Sequence, residues 1–286
     1  MSVEQGSFIG LLGPNGAGKS TIISILNSLT RKTSGEVSIN NPNIDTELSL
    51  AKSQIGVVPQ EFNFNIFEKI QQIMINQAGY YGINYHDAKI RTQKYLSLLE
   101  LWDKRNHTAR ALSGGMKRRL MIARAMIHEP QVLILDEPTA GVDVEIRRSM
   151  WELLKELKHS GKTIVLTTHY LEEAETLCDR IAIINHGKII QDTTKRQLLT
   201  LLDIETFILD LTKPFNAVLP DHTGFNFKQI DSVTLEIELP KTKTLNDLFS
   251  FLDSHQISVS SFRNRSNRLE ELFLRLTSAP QSEGFL

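Results

Sequence analysis

The chain has 286 residues, 41% hydrophobic and 23% charged, with Lys+Arg 32 against Asp+Glu 33 and a formal net charge of -1. This balance excludes a global basic field of the kind that gathers nucleic acid, and the apolar content is ample for a globular core. A single cysteine, Cys178, excludes a disulfide framework and suits a reducing compartment; no window nears the ~18 apolar residues of a membrane span, and residues 1–6 lack the basic run and apolar stretch of a signal peptide, so a soluble chain is expected.

The first element is Phe8-Ile9-Gly10-Leu11-Leu12, an apolar run fit for a buried strand. It leads into Gly13-Pro14-Asn15-Gly16-Ala17-Gly18-Lys19-Ser20-Thr21, which fits G-x-x-x-x-G-K-[ST], the phosphate-binding P-loop. Thr21-Ile22-Ile23-Ser24-Ile25-Leu26 then carries apolar residues at helical spacing. Glycines let backbone N–H groups close around phosphate oxygens, and the helix N-terminus points at the same anion. The motif puts the Lys19 ammonium at the β- and γ-phosphates and the Ser20 hydroxyl on Mg²⁺.

Residues 36–39 and 55–60 read as strands, parted by a turn at Asn40-Asn41-Pro42-Asn43. Gln60 ends the second, where its amide can touch a metal or a water. From Phe64 to about Leu101 the pattern is helical, with Ile70, Ile73 and Met74 on one face and Ala88, Tyr95, Leu98 and Leu99 on another. Leu112-Ser113-Gly114-Gly115 opens a helix over 116–128, closed by Glu129-Pro130. Ser113 and two glycines at a helix start make either an ordinary N-cap or a second anion site. Lys117-Arg118-Arg119 reads as a solvated helix face.

Val132-Leu133-Ile134-Leu135-Asp136-Glu137 is an apolar strand ending in two carboxylates. At the C-terminal edge of a parallel sheet, Asp136 would hold Mg²⁺ through water and Glu137 would polarise an attacking water as general base. Ala140-Gly141-Val142-Asp143 is a turn before a helix over 146–159. A buried strand over 163–168 ends at His169, which either hydrogen-bonds a γ-phosphate or is a surface histidine. A helix over 171–177 precedes a hairpin of 181–185 and 188–191 through His186-Gly187. Near Asp203 the character changes. Residues 206–211 and 233–239 alternate apolar and polar, 245–252 reads as a helix and 257–263 as a strand, and Leu269, Leu272, Phe273 and Leu276 share a helical face.

In this order the P-loop, Gln60, Leu112-Ser113-Gly114-Gly115, Asp136-Glu137, Asp143 and His169 resemble the nucleotide-binding subunit of ABC transporters, over about residues 3–202. Leu112-Ser113-Gly114-Gly115 is similar to the family signature, Gln60 to its Q-loop, the turn ending at Asp143 to its D-loop and His169 to its switch histidine. The resemblance implies an α/β P-loop NTPase domain of the ABC-ATPase kind over 1–203, with a helical subdomain at about 61–128. A small α+β domain over 204–278 and a disordered tail over 279–286 complete the expectation. ATP and Mg²⁺ are the implied cofactors, with Ser20, Gln60 and Asp136 at the metal and Glu137, His169 and Gln60 catalytic.

The resemblance also implies a head-to-tail homo- or heterodimer, ATP lying between one P-loop and the other subunit's Ser113, Gly114 and Gly115. A polytopic membrane permease is the implied partner, and nucleic acid is not. The segment 61–85 would dock on that permease through Phe62, Phe64, Ile66 and Phe67, unless these four are core of the helical subdomain. Leu269-Glu270-Glu271-Leu272-Phe273-Leu274-Arg275-Leu276-Thr277 resembles the ending of ABC-2-type exporter ATPases. This implies export from a peripheral site on the cytoplasmic face of the cell membrane. The alternative is a soluble ABC ATPase without a transport role. One departure stands out: the family usually carries two strands and an adenine-stacking aromatic before the P-loop strand, whereas Phe8 is the sole aromatic before Gly13.

Overall fold

The computed structural model describes residues 1–201, 204–215, 224–265 and 268–278. It divides into two compact units, Met1–Thr193 and Thr194–Leu286, ten residues ahead of the boundary expected from the sequence. The expected tail at 279–286 lies outside the described residues.

The first unit is α/β. Its elements are β1 (Phe8–Leu12), α1 (Lys19–Leu26), α2 (Leu48–Ser53), β2 (Ile55–Val58), α3 (Ile70–Tyr80), α4 (Tyr85–Leu98), α5 (Gly114–Met126), β3 (Val132–Asp136), α6 (Val144–His159), β4 (Thr163–Thr168), α7 (Leu171–Leu177), β5 (Arg180–Asn185) and β6 (Lys188–Thr194). The strands form one sheet in the order β2-β3-β4-β1-β5-β6. Every pairing from β2 to β5 is parallel. The two-residue link His186-Gly187 forces β6 back antiparallel. β1 and β4 are buried at every position, as continuous apolar strands covered on both faces must be.

The strand order is not the chain order. β3 and β4 insert between β2 and β1, and their register sets Asp136 beside Thr167 and Leu12 beside Thr168. The loops leaving β2, β3, β4 and β1 therefore emerge side by side on one edge. α3, α4 and α5 pack on one another as the helical subdomain, with Ile70, Met74, Leu96 and Leu120 fully buried.

Two expectations fail here. Residues 36–39 are not a strand: Ser38 makes only an isolated bridge to Asn43. The Ile39 N–H donates to Pro42 O at 2.9 Å and the Ile44 N–H to Val37 O at 3.0 Å, so the turn satisfies its own backbone. The helical pattern from Phe64 also breaks. Helix starts only at Ile70, and Gly82, at φ 71, separates α3 from α4.

The second unit contains α8 (Lys195–Leu199), β7 (Ile204–Leu211), β8 (Asn226–Asp231), β9 (Thr234–Pro240), α9 (Leu245–Ser254), β10 (Val259–Asn264) and α10 (Arg268–Ser278). Its sheet runs β10-β7-β9-β8, antiparallel throughout. Phe207, Leu209, Leu235, Ile237, Leu248 and Leu252 form its core. Thr244 and Asp247 make a capping box that starts α9.

Candidate functional site

At the edge where β1, β2, β3 and β4 end lies a cleft of about 520 Å³. Asn15, Gly16, Gly18, Lys19, Ser20 and Thr21 line one wall, and Gln60, Glu137 and His169 line the other. The first wall follows from β1 and α1. Gly18 caps α1 at φ 109, a conformation open to glycine and costly for other residues. No side chain caps α1, and its first turn holds no acid. Its leading N–H groups are thus left for an anion. Lys19 is 6% exposed. Its ammonium donates to Gly13 O at 2.7 Å and to Pro14 O at 3.2 Å. Burial pulls its pKa below the usual lysine value, while Glu137 and Asp136 push the other way.

The second wall is drawn from three loops far apart in the chain. Glu137 follows β3, His169 follows β4 and Gln60 follows β2. The Gln60 amide donates to Glu137 Oε2 at 3.0 Å. His169 Nδ1 lies 3.1 Å from Glu137 Oε1. One carboxylate is therefore gripped on both oxygens. Its backbone is fixed as firmly, since the Glu137 N–H donates to Thr167 O at 3.0 Å. Glu137 sits at φ 47, a strained setting for a non-glycine residue that costs roughly 1–3 kcal/mol and tends to mark functional sites. Asp136, one residue earlier, accepts a hydrogen bond from the Thr167 hydroxyl. Asp136 is not among the residues that line the cleft.

Other sequence candidates lie outside the cleft. Ser113 caps α5, accepting from the Met116 N–H at 3.3 Å. Ser113 and Gly114 are exposed, whereas Leu112 and Gly115 are buried. A side chain at Gly115 would meet the Ile146 methyl at 2.6 Å, so only glycine lets α5 approach α6 there. Asp143 caps α6, accepting from the Ile146 N–H at 2.8 Å. No Phe, Tyr or Trp lines the cleft, and Phe8 is fully buried in β1. Of the four apolar residues expected either to dock or to be subdomain core, Phe62, Ile66 and Phe67 are exposed, Phe67 at 68%, and Phe64 is half-buried.

One reading of charge is overturned. Arg118, expected on a solvated face, is 4% exposed. Its guanidinium turns inward onto backbone carbonyls of the Gln60 loop. A run of three basic residues carries no sign of which one points inward.

Glu173 was not singled out by its sequence either. It lies on α7, one turn past His169, and is fully buried. Its Oε1 accepts from the Thr139 hydroxyl at 2.9 Å and from the Trp151 indole N–H at 3.3 Å. It thereby ties the loop after Glu137 to the helix after His169. Burial pushes its carboxyl pKa above the ordinary value of 4.5, and neighbouring donors and Arg147 only partly offset this. The folded chain thus keeps a proton that the unfolded chain has lost, and stability falls as pH rises from the ordinary glutamate range through the raised value. Glu173→Gln removes that titration. Its melting temperature is expected to gain on the parent chain's as pH rises from about 5 to about 8. A difference that stays constant across circular-dichroism melts would show that Glu173 does not titrate.

The family model described as ABC transporter matches residues 1–140. The chain is 35% identical over 283 residues to the linearmycin resistance ATP-binding protein LnrL of Bacillus subtilis (strain 168), covering 96% of this chain and 91% of that protein. It is 34% identical over 283 residues to the Nod factor export ATP-binding protein I of Burkholderia pseudomallei (strain 1710b), with 96% and 89% covered. Among solved structures it is similar to an ATP-binding subunit of an ABC transporter, with TM-score 0.63, 28% identity and 70% of this chain and 84% of that chain covered. It is also similar to the ATP-binding cassette MJ0796, a dimer in a post-hydrolysis state bound to ADP and Pi, with TM-score 0.60, 29% identity, and 68% and 88% covered.

Proposed function

The chain belongs to the ABC transporter ATP-binding proteins, and from that premise we propose that it is the ATP-hydrolysing subunit of an exporter, driving a separate membrane permease from the cytoplasmic face. The observation that carries the chemistry is the meeting of Gln60, Glu137 and His169 opposite the P-loop. The leading N–H groups of α1 and the Lys19 ammonium bind the phosphates. The Glu137 carboxylate takes a proton from the attacking water as its oxygen bonds to the γ-phosphorus. The bond from that phosphorus to the β–γ bridging oxygen breaks, leaving ADP and phosphate. His169 donates to the γ-phosphate, and Gln60 orients the water or the metal.

The donor set also fits Mg²⁺. Ser20 and Gln60 line the cleft beside Lys19 and Glu137, and with Asp136 they would offer the oxygens a hard cation prefers. When bound there, Mg²⁺ neutralises phosphate charge.

Each chain supplies one P-loop and one exposed Ser113–Gly114 helix start that its own cleft does not use. This supports a head-to-tail homo- or heterodimer in which Leu112, Ser113, Gly114 and Gly115 close the partner's ATP site, with Asp143 in the loop beside them. No helix among the described residues is long and apolar enough to cross a membrane. The export in one relative's name and the antibiotic resistance in the other's, each matched over 96% of this chain, support export. Exposed Phe62, Ile66 and Phe67 give an apolar docking patch for the permease. A Phe67→Cys variant carrying a photocrosslinker, expressed in its native membrane, is expected to join a multi-span membrane protein. Crosslinks confined to soluble proteins would favour a non-transport ATPase.

A further inference from the structure

Helix α5 starts at the exposed Ser113–Gly114 turn and sends two arginines onto the loop that carries Gln60. The Arg118 guanidinium donates to Pro59 O at 3.0 Å and to Gln60 O at 2.9 Å. It also lies over the Phe62 ring, 5.1 Å from its centroid. The Arg124 guanidinium donates to Asn63 O at 3.0 Å and to the Asn63 side-chain oxygen, and lies 5.8 Å from the Phe64 centroid. The two arginines are about 9 Å apart along the helix axis, close to the ~10 Å that the three residues from Gln60 to Asn63 span when extended. The loop is held at both ends by one helix.

Arg118 is an expensive way to fasten a loop. It is 4% exposed, and no carboxylate among the described residues forms an ion pair with it. Burying a cation away from water is costly unless it is paired, and backbone carbonyls only partly offset that. An apolar side chain would fill the volume without the cost. What it would not do is fix the direction of the peptide between Pro59 and Gln60, and that peptide aims the Gln60 amide at Glu137, 3.0 Å away.

We propose that Arg118 and Arg124 are positioning residues that tie the Gln60 loop to α5, so that a shift of α5 moves the Gln60 amide relative to Glu137. This rests on the reading of the cleft as an ATP-hydrolysing site. In the head-to-tail dimer the clamp has a further consequence. The start of α5 meets the nucleotide held by the partner, while Arg118 holds Gln60 in the chain's own cleft. Occupancy of one ATP site is then felt at the other through a single helix.

The test is a double-mutant cycle on the purified full chain, with steady-state ATP turnover as the readout. Arg118→Met and Gln60→Ala are each expected to lower kcat about tenfold to a hundredfold, the range a misplaced catalytic group costs, with KM within about twofold. If Arg118 acts through Gln60, the double variant is expected to fall no more than about twofold below the slower single one, because linked residues are not additive. Arg118→Lys, which restores a donor, is expected to recover part of kcat. Multiplying losses, or wild-type kcat in Arg118→Met, would overturn the clamp. Absence of turnover in the unmutated chain would instead overturn the reading of the site. Should Arg118→Met fail to fold by circular dichroism, the same cycle is run with the half-buried Arg124→Gln.

Discussion

Glu137→Gln is expected to cut ATP turnover by at least ~10³-fold, within the span ascribed to a positioned general base, while ATP-dependent dimers persist. The substitution is nearly isosteric. It preserves the acceptor oxygen that meets the Gln60 amide and the contact to His169, both now at about 3 Å. What it removes is the lone carboxylate in the cleft lining, the group that can take the proton of the attacking water. The P-loop and the Ser113–Gly114 helix start are untouched, so nucleotide binding and dimer closure should remain and the closed state should last longer. Phosphate release measures the first effect, and size-exclusion chromatography with ATP and Mg²⁺ the second. Persisting turnover would place the base elsewhere. Dimers that fail to form would remove the in-trans role of Ser113, Gly114 and Gly115.

Lys19→Ala is expected to weaken ATP binding by about 10- to 150-fold, the equivalent of one charge-assisted hydrogen bond at about 1.5–3 kcal/mol. The cause is partly direct, since the ammonium is the one cation in the cleft lining. It is also partly indirect. Lys19 holds the Gly13 and Pro14 carbonyls, and the loop loses this brace when the side chain is cut back. Titration with a fluorescent nucleotide analogue reads the affinity, and a melting curve without nucleotide separates loop loosening from global unfolding. Unchanged affinity would take Lys19 out of the phosphate site.

The elements that the sequence placed well are those whose apolar run is unbroken and whose ends carry strong signals. β4 was expected at 163–168 and is found there. α5 was expected from its Ser113 entry and its Glu129-Pro130 exit and ends two residues short of the expected 128. Weak signals were missed. β8, Asn226–Asp231, is almost wholly exposed, so no apolar alternation reveals it. α2 and α8 are only six and five residues long, too short for a helical period to show. Residues 36–39 have strand-like composition, but strands need a neighbour, and composition does not say whether one is present.

The amino-acid order by itself determined the chemistry on offer: a phosphate loop between strand and helix, two carboxylates at a strand end, a glutamine and a histidine at others. These are local signals, set by backbone geometry and residue type within a few positions. Tertiary structure decided which of them meet. Gln60 and Glu137 are 77 residues apart, and they touch because β3 lies beside β2 in the sheet, a neighbour relation that no local pattern encodes. The inward turn of Arg118 and the burial of Glu173 were likewise decided by packing, since charge alone predicts exposure and only the completed core fixes which polar groups must find partners inside it.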